Sequence, residues 1–424
     1  MDIFKRKIFW GIIAVGAAAF LFFFLSDRIP TVSQPKPTKL PESLNFLNIP
    51  ENFAISVYTK DLENPRVMAF DQKGRMFVSE TKAGRISIIE GEDNDGIAEK
   101  KTVLIDGLNL PHGIDFYTQE LKDKRGKKTG EKHFIYIAEI HQVTRREYDL
   151  ENKKVLGSPE QIAAFSPEGR HFTRTIAFGP NLRRGSLIKE LILRGESVKN
   201  RLYISVGSSC DVCIEESWKK AAILESDPAG SFTAEFAGGL RNSVFFTFHP
   251  LTGEMWATEM GRDNLGDNLP PDEVNIVKPD KKYGWPYCYG KQISDKKFKP
   301  PRKIERTDIP ENCSQTEPSK IDIPAHSAPL GLTFITSKKW PVDWQNHLLV
   351  AYHGSWNSSV PTGYKIVIFK LNEKGDFLGV EDFITGWLAP DNKVSGRPVD
   401  LKFQGDNLFI TDDQSGVIYK VEPW

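Results

Sequence analysis

The sequence predicts an all-β protein, a six-bladed β-propeller carried behind an N-terminal transmembrane helix. Three observations predict the propeller. From residue 47 onward, short β-branched and aromatic segments alternate with turns rich in Gly, Asp, Asn and Pro. One unit built from such segments recurs six times. The turns inside the unit also recur in kind, as Asp71-Gln-Lys-Gly74, Pro250-Leu-Thr-Gly253 and Gln404-Gly-Asp-Asn407.

Each unit begins with a strand ending in Phe: Ala69-Phe70, Asp115-Phe116, Ala177-Phe178, Thr247-Phe248, Thr333-Phe334 and Lys402-Phe403. A second strand follows, such as Met76-Phe-Val-Ser-Glu80, Glu254-Met-Trp-Ala-Thr-Glu259 or Leu408-Phe-Ile-Thr-Asp412. A third closes the unit, as in Arg85-Ile-Ser-Ile-Ile89, Val274-Asn-Ile-Val277 and Lys365-Ile-Val-Ile-Phe369. Such a sheet cannot bury both faces alone, so the units must stack, and radial stacking around a channel gives a propeller. A two-layer sandwich would not explain the recurrence. Unequal spacing locates insertions. Residues 119–132 and 181–200 read as peripheral additions to hairpins, residues 291–327 as a long covering loop, and Gly91 to Gly96 as a hairpin turn.

Residues 1–28 form the anchor or signal. Lys5, Arg6 and Lys7 precede an uncharged run from Ile8 to Leu25, long enough to cross a bilayer. Small residues for cleavage are missing after it, so an uncleaved anchor is expected, with the propeller on the extracytoplasmic, periplasmic side. Residues 29–46 are a Pro-rich linker, and residues 47–424 are the propeller. Lys and Arg number 56, as do Asp and Glu, so no nucleic-acid footprint is present. The expected partner is a small molecule.

Four cysteines in an oxidising compartment are expected to pair, and three connectivities exist. The local choice is Cys210 with Cys213 and Cys288 with Cys313. Zinc at Cys210 and Cys213 is the alternative, although no second close pair or nearby His completes a site. Covalent haem needs His where Ile214 stands.

The densest chemistry runs from Gly239 to Gly290, where Arg241, Asn242, Gly261, Arg262, Asp263, Asp267, Asp272, Glu273 and Tyr283 gather. Oxygen-rich loops with Gly and Pro at the bends suit a hard cation such as calcium. A decorated hairpin with solvated acids is the alternative.

Eight ordered motifs make the chain similar to the pyrroloquinoline quinone (PQQ) dependent glucose and sorbosone dehydrogenases, in the sorbosone branch. They are Gly169-Arg-His-Phe-Thr-Arg-Thr, Val206-Gly-Ser-Ser-Cys-Asp-Val-Cys, Gly239-Leu-Arg-Asn, Gly261-Arg-Asp-Asn-Leu-Gly-Asp with Pro270-Pro-Asp-Glu, Tyr283-Gly-Trp-Pro, Ala325-His-Ser-Ala-Pro-Leu-Gly, His353-Gly-Ser-Trp-Asn and Gly396-Arg-Pro-Val-Asp. The resemblance implies that His171 accepts the hydroxyl proton of a sugar while hydride passes to the quinone. It implies that Arg241 stabilises charge on the quinone oxygen, with Asn242 beside it. Backbone carbonyls of Gly261 and Arg262 match those that bind the cofactor's calcium, and Glu273 and Tyr283 match a second, structural calcium site. Arg75, Lys365 and Arg397 match cofactor-binding positions, the last two as partners of the quinone carboxylates. His326, His353 and Trp356 are candidates for the substrate pocket. An external electron acceptor completes the cycle. Two other classes stay open: a calcium-dependent hydrolase such as a lactonase, and a non-catalytic binding propeller.

Overall fold

The second strand of each unit is apolar because a neighbouring sheet covers it on either side. Met76–Glu80, Met255–Glu259 and Leu348–Tyr352 are buried at every residue. Sheets covered on both faces read as continuous apolar runs rather than alternating ones. In the computed structural model, which describes residues 42–92, 96–185, 187–194, 200–300 and 308–424, six such sheets form the ring. They span residues 65–105, 114–164, 176–238, 246–323, 329–384 and 398–423. The sixth is completed by the N-terminal strand Phe53–Thr59, antiparallel to Val417–Pro423. Trp256, Trp340 and Trp387 are fully buried within the apolar clusters, Trp256 against Phe334 of the next blade.

Every blade has a fourth strand outside the three legible in the sequence, outermost in all but the third. In the first blade it is Ala98–Ile105, where exposed and half-buried residues dominate. In the fourth blade it is Ile321–Ile323, inside the stretch expected to be a covering loop. The insertion at residues 119–132 lengthens a hairpin, with Gln119 paired to Lys132. The one at residues 181–200 carries the short helix Leu187–Leu193.

Antiparallel blades alternate their connections between two ends of the ring. Turns from first to second strand lie on what we call the lower face; second-to-third and blade-to-blade connections lie on the upper face. At the upper end of four second strands stands a buried acid: Glu80, Glu139, Glu259 or Asp412. Each accepts a backbone N–H from the chain entering its own blade, from Glu63, Asn109, Asn242 and Arg397 respectively, at 2.6–2.9 Å. The acid that ends the sequence repeat is therefore a clamp on the incoming loop, satisfying a donor that burial would otherwise orphan.

Asp413, next to the last clamp, ties the ring shut. It bonds Arg66 of the first blade at 2.6 Å and His353 of the fifth at 2.9 Å. Although burial opposes ionisation, His353 and Arg66 together hold its carboxyl well below the usual range. A depressed acid contributes stability above its unfolded pKa near 4 and loses it as pH falls through the folded value. Asp413→Ala is expected to cost about 3–5 kcal/mol, because Arg66 is left buried without its counter-ion. Denaturant unfolding at neutral pH measures this; an unchanged midpoint would refute the latch.

The expected anchor and most of the linker lie outside the described residues. Among the described residues no helix is long and apolar enough to cross a membrane.

Candidate active site

Three upper connections bring His171, Arg241 and Gly261 to one cavity of about 230 Å³, lined also by Arg170, Asn242, Asp263, Asp272, His326, Trp356 and Asn357. His171 precedes the third blade, Arg241 and Asn242 precede the fourth, and Gly261 follows its second strand. Gly207 permits the approach. A Cβ there would stand 2.6 Å from both Asn242 Oδ1 and the Cβ of His171.

The hydrogen bonds of His171 decide its tautomer. Nδ1 lies 3.0 Å from the carbonyl oxygen of Ser208 and 2.9 Å from Ser208 Oγ. A carbonyl only accepts, and the Ser208 hydroxyl spends its proton on the carbonyl of Cys210 at 2.6 Å. Nδ1 therefore carries the ring proton, and Nε2 is left as the basic edge. Burial, reinforced by the nearby positive charge of Arg241, pushes the ring pKa down to about 3. The imidazole is neutral and ready to accept.

Arg241, 5 % exposed at its side chain, is held as a fork. Nη2 donates to Asp211 Oδ1 at 2.8 Å, Nε to the Asp211 carbonyl at 2.9 Å and Nη1 to the Met260 carbonyl at 3.3 Å. Asp263, raised by burial, lies 3.5 Å from Nη2. Gly261 donates its N–H to Asp272 at 2.8 Å, and Asp272 also takes the N–H of Ala328 at 2.9 Å. Burial pushes the Asp272 carboxyl up to about 7. A Cβ on Gly261 would meet Pro270 at 2.7 Å, so glycine lets this loop fold against the Pro pair. The carbonyl oxygens of Gly261 and Arg262 accept no hydrogen bond among the described residues. The Arg262 side chain turns away to Asp295 at 2.8 Å.

Glu273 and Tyr283 line a neighbouring small cavity of about 30 Å³, together with Glu259. Glu273 accepts from Gly290 N at 2.5 Å and Asn275 Nδ2 at 2.9 Å; the Tyr283 hydroxyl donates to the Ile276 carbonyl at 2.6 Å. Burial raises both carboxyls, Glu259 to about 8. Both disulfides form as expected, Cys210–Cys213 and Cys288–Cys313. The second staples a long connection that runs parallel to the third blade at Lys281–Lys282 and delivers Trp285 to the Asp211 carbonyl at 3.2 Å.

Three expected cofactor residues lie elsewhere. Arg75 occupies a first-to-second-strand turn, hence the lower face, where it pairs with Asp71 at 2.6 Å and the Leu150 carbonyl at 2.5 Å. The turn repeat places it there, and this corrects its assignment as a cofactor-binding residue of the upper site. Lys365 begins the third strand of the fifth blade and pairs with Asp382 at 2.6 Å. Arg397 is on the upper face but does not line the 230 Å³ cavity. It stacks 4.7 Å over Tyr364 and donates to the carbonyl of Gly354 at 2.9 Å. His353 is occupied by Asp413 at 2.9 Å, whereas His326 and Trp356 do line the cavity. Sequence reasoning gave no role to Ser208 or Asp211 and read Asp263 and Asp272 only as part of an oxygen-rich stretch suited to a cation, although each stands inside a quoted motif.

The profile of TrAA12-like proteins matches residues 47–423, the whole propeller. The chain belongs to the TrAA12-like family. An uncharacterised protein of Borreliella burgdorferi is 29 % identical over 386 residues, covering 90 % of this chain and 92 % of that protein. A pyrroloquinoline quinone-dependent pyranose dehydrogenase of Coprinopsis cinerea is 23 % identical over 90 % of this chain, which spans 55 % of that protein's length. Among solved structures, the calcium structure of Trichoderma reesei family AA12 superposes with a TM-score of 0.69 at 19 % identity, over 89 % of this chain and 97 % of that one. The holo pyranose dehydrogenase PQQ domain of C. cinerea gives 0.66 at 20 % identity, over 93 % and 99 %. These likenesses establish for the TrAA12-like chain the propeller fold.

Proposed function

We propose that this chain oxidises a sugar, aldose or sorbosone-like compound with PQQ as the two-electron acceptor and calcium as its metal, then passes electrons to an external acceptor. The observation that carries the reading is a neutral histidine of fixed tautomer sharing a cavity with a buried, fully oriented arginine fork. The cavity suits such a group: Arg170 and Arg241 supply positive charge, Asn242 an amide and Gly261 a carbonyl for a cation, with Arg262 next in the chain and lining the neighbouring small cavity. When bound, PQQ supplies a quinone that takes up two electrons. His171 Nε2 takes the proton of the substrate hydroxyl. The Arg241 fork places fixed positive charge where negative charge develops. Trp356 and His326 border the space left for the substrate.

A cation at the second cavity is supported by Glu259 and Glu273, two buried carboxyls that line it, while Arg241 and Arg262, which line it too, pair with Asp211 and Asp295 instead. Calcium is expected to raise the unfolding free energy by about 2.7 kcal/mol at a hundredfold excess over its Kd. Melting of chelator-treated protein with and without added calcium measures this, and coincident curves would count against both metal sites. The two disulfides support an extracytoplasmic location, and the apolar run from Ile8 to Leu25 supports membrane attachment.

The deciding experiment mixes cofactor-free protein with PQQ and calcium and follows reduction of an artificial acceptor with aldoses, sorbosone and simple alcohols. Turnover that needs both additions is the expected result. No turnover and no change in PQQ absorbance would overturn the reading.

A further inference from the structure

One carboxylate outside the reacting groups joins the separate parts of the upper site. Asp211 sits inside the loop closed by Cys210 and Cys213. Its Oδ1 accepts from Arg241 Nη2 and from the Asp263 backbone N–H, both at 2.8 Å. Its carbonyl accepts from Arg241 Nε at 2.9 Å and from Trp285 Nε1 at 3.2 Å. Two atoms of one residue thus meet two different nitrogens of the guanidinium. That fixes both the plane and the rotation of the fork, which a single ion pair cannot do. Asp263 is no substitute: it reaches the fork only at 3.5 Å and is shared with Asn357 at 3.2 Å and Arg170 at 4.0 Å.

We propose that Asp211 is the positioning residue for Arg241, and that the Cys210–Cys213 loop is its mount. The inference rests on the reading that Arg241 faces a bound quinone. The same loop supplies the Cys210 carbonyl that takes the Ser208 proton, so it orders His171 as well. Opening the disulfide would loosen both side chains at once, with no change to either.

The test compares the full chain with Asp211→Ala, Asp211→Asn and a Cys210→Ser, Cys213→Ser double variant. The Arg241 Nε–H signal in proton–nitrogen NMR, identified by its loss in Arg241→Lys, reports orientation without cofactor. PQQ absorbance titration reports binding, and steady-state kinetics separate kcat from KM. In Asp211→Ala the signal is expected to vanish, PQQ affinity to fall about tenfold and kcat about tenfold, with the sugar KM unchanged and the melting temperature lowered, since Arg241 loses its nearest counter-ion. Asp211→Asn keeps a neutral acceptor and the backbone contacts, and is expected to fall between. The double variant is expected to follow Asp211→Ala. Should Asp211→Ala not fold, Asp211→Asn decides: full signal, affinity and kcat overturn the proposal. The same three results in a folded Asp211→Ala overturn it too. If the parent binds no PQQ while Asp211→Ala loses the signal, the quinone reading fails and the positioning by Asp211 stands.

Discussion

Replacing His171 by Ala is expected to lower turnover by about 10²–10⁴-fold, the range lost with a general base, while PQQ titration and melting stay close to those of the parent. The side chain is half-buried, and its fixed bonds run only to Ser208. Removing it deletes the proton acceptor without unpairing a buried charge. The pH profile adds a second test. A general base fails when protonated, so kcat/KM falls as pH drops through the pKa of the free protein. Burial and Arg241 hold that pKa down to about 3, against an ordinary value near 6.5. His171 is therefore expected to contribute no acid limb between pH 8 and pH 5. A limb near 6.5 that disappears in His171→Ala would show that the imidazole is not held neutral.

Arg241→Ala is expected to lower kcat by about 10²–10³-fold, the scale of losing one oriented electrostatic donor. It also strands Asp211 and Asp263, which share the fork at 2.8 and 3.5 Å. A measurable loss of stability therefore accompanies the loss of rate, in contrast to His171→Ala. Arg241→Lys keeps the charge but not the fork, and one ammonium cannot reproduce bonds to Asp211 Oδ1, the Asp211 carbonyl and the Met260 carbonyl together. It is expected to restore stability more than rate. Steady-state kinetics and denaturant unfolding on the same samples check both halves. Equal recovery of rate and stability would reduce Arg241 to a structural ion pair.

The six inner sheets were legible because strands pressed between blades keep an apolar run and a repeated turn. The outer strands were not, since Ala98–Ile105 or Phe377–Ile384 face solvent along much of their length and resemble loops in composition. For the same reason the single stretch from residue 291 to 327 concealed a strand at Ile321–Ile323. Within the site, His171, Arg241, Asn242 and Gly261 were found through their motifs. Arg75 was misplaced because similarity along the chain carries no information about which face a turn occupies. Ser208 and Asp211 escaped notice because their roles lie in hydrogen bonds to residues 30–37 positions away. Small polar residues beside cysteines carry no composition signal of their own.

The N-terminal strand in the sixth blade also sets a timetable for synthesis. Phe53–Thr59 is among the first parts of the propeller to be made, and its partner Val417–Pro423 is the last. At about 5–20 residues per second the strand waits roughly 20–70 s with an open edge. During that interval it is a template for the wrong strand, in the same chain or another. Newly made chains depend on whatever shields this segment until the final residues arrive, and slowing translation near the C-terminus should promote aggregation more than slowing it near the start.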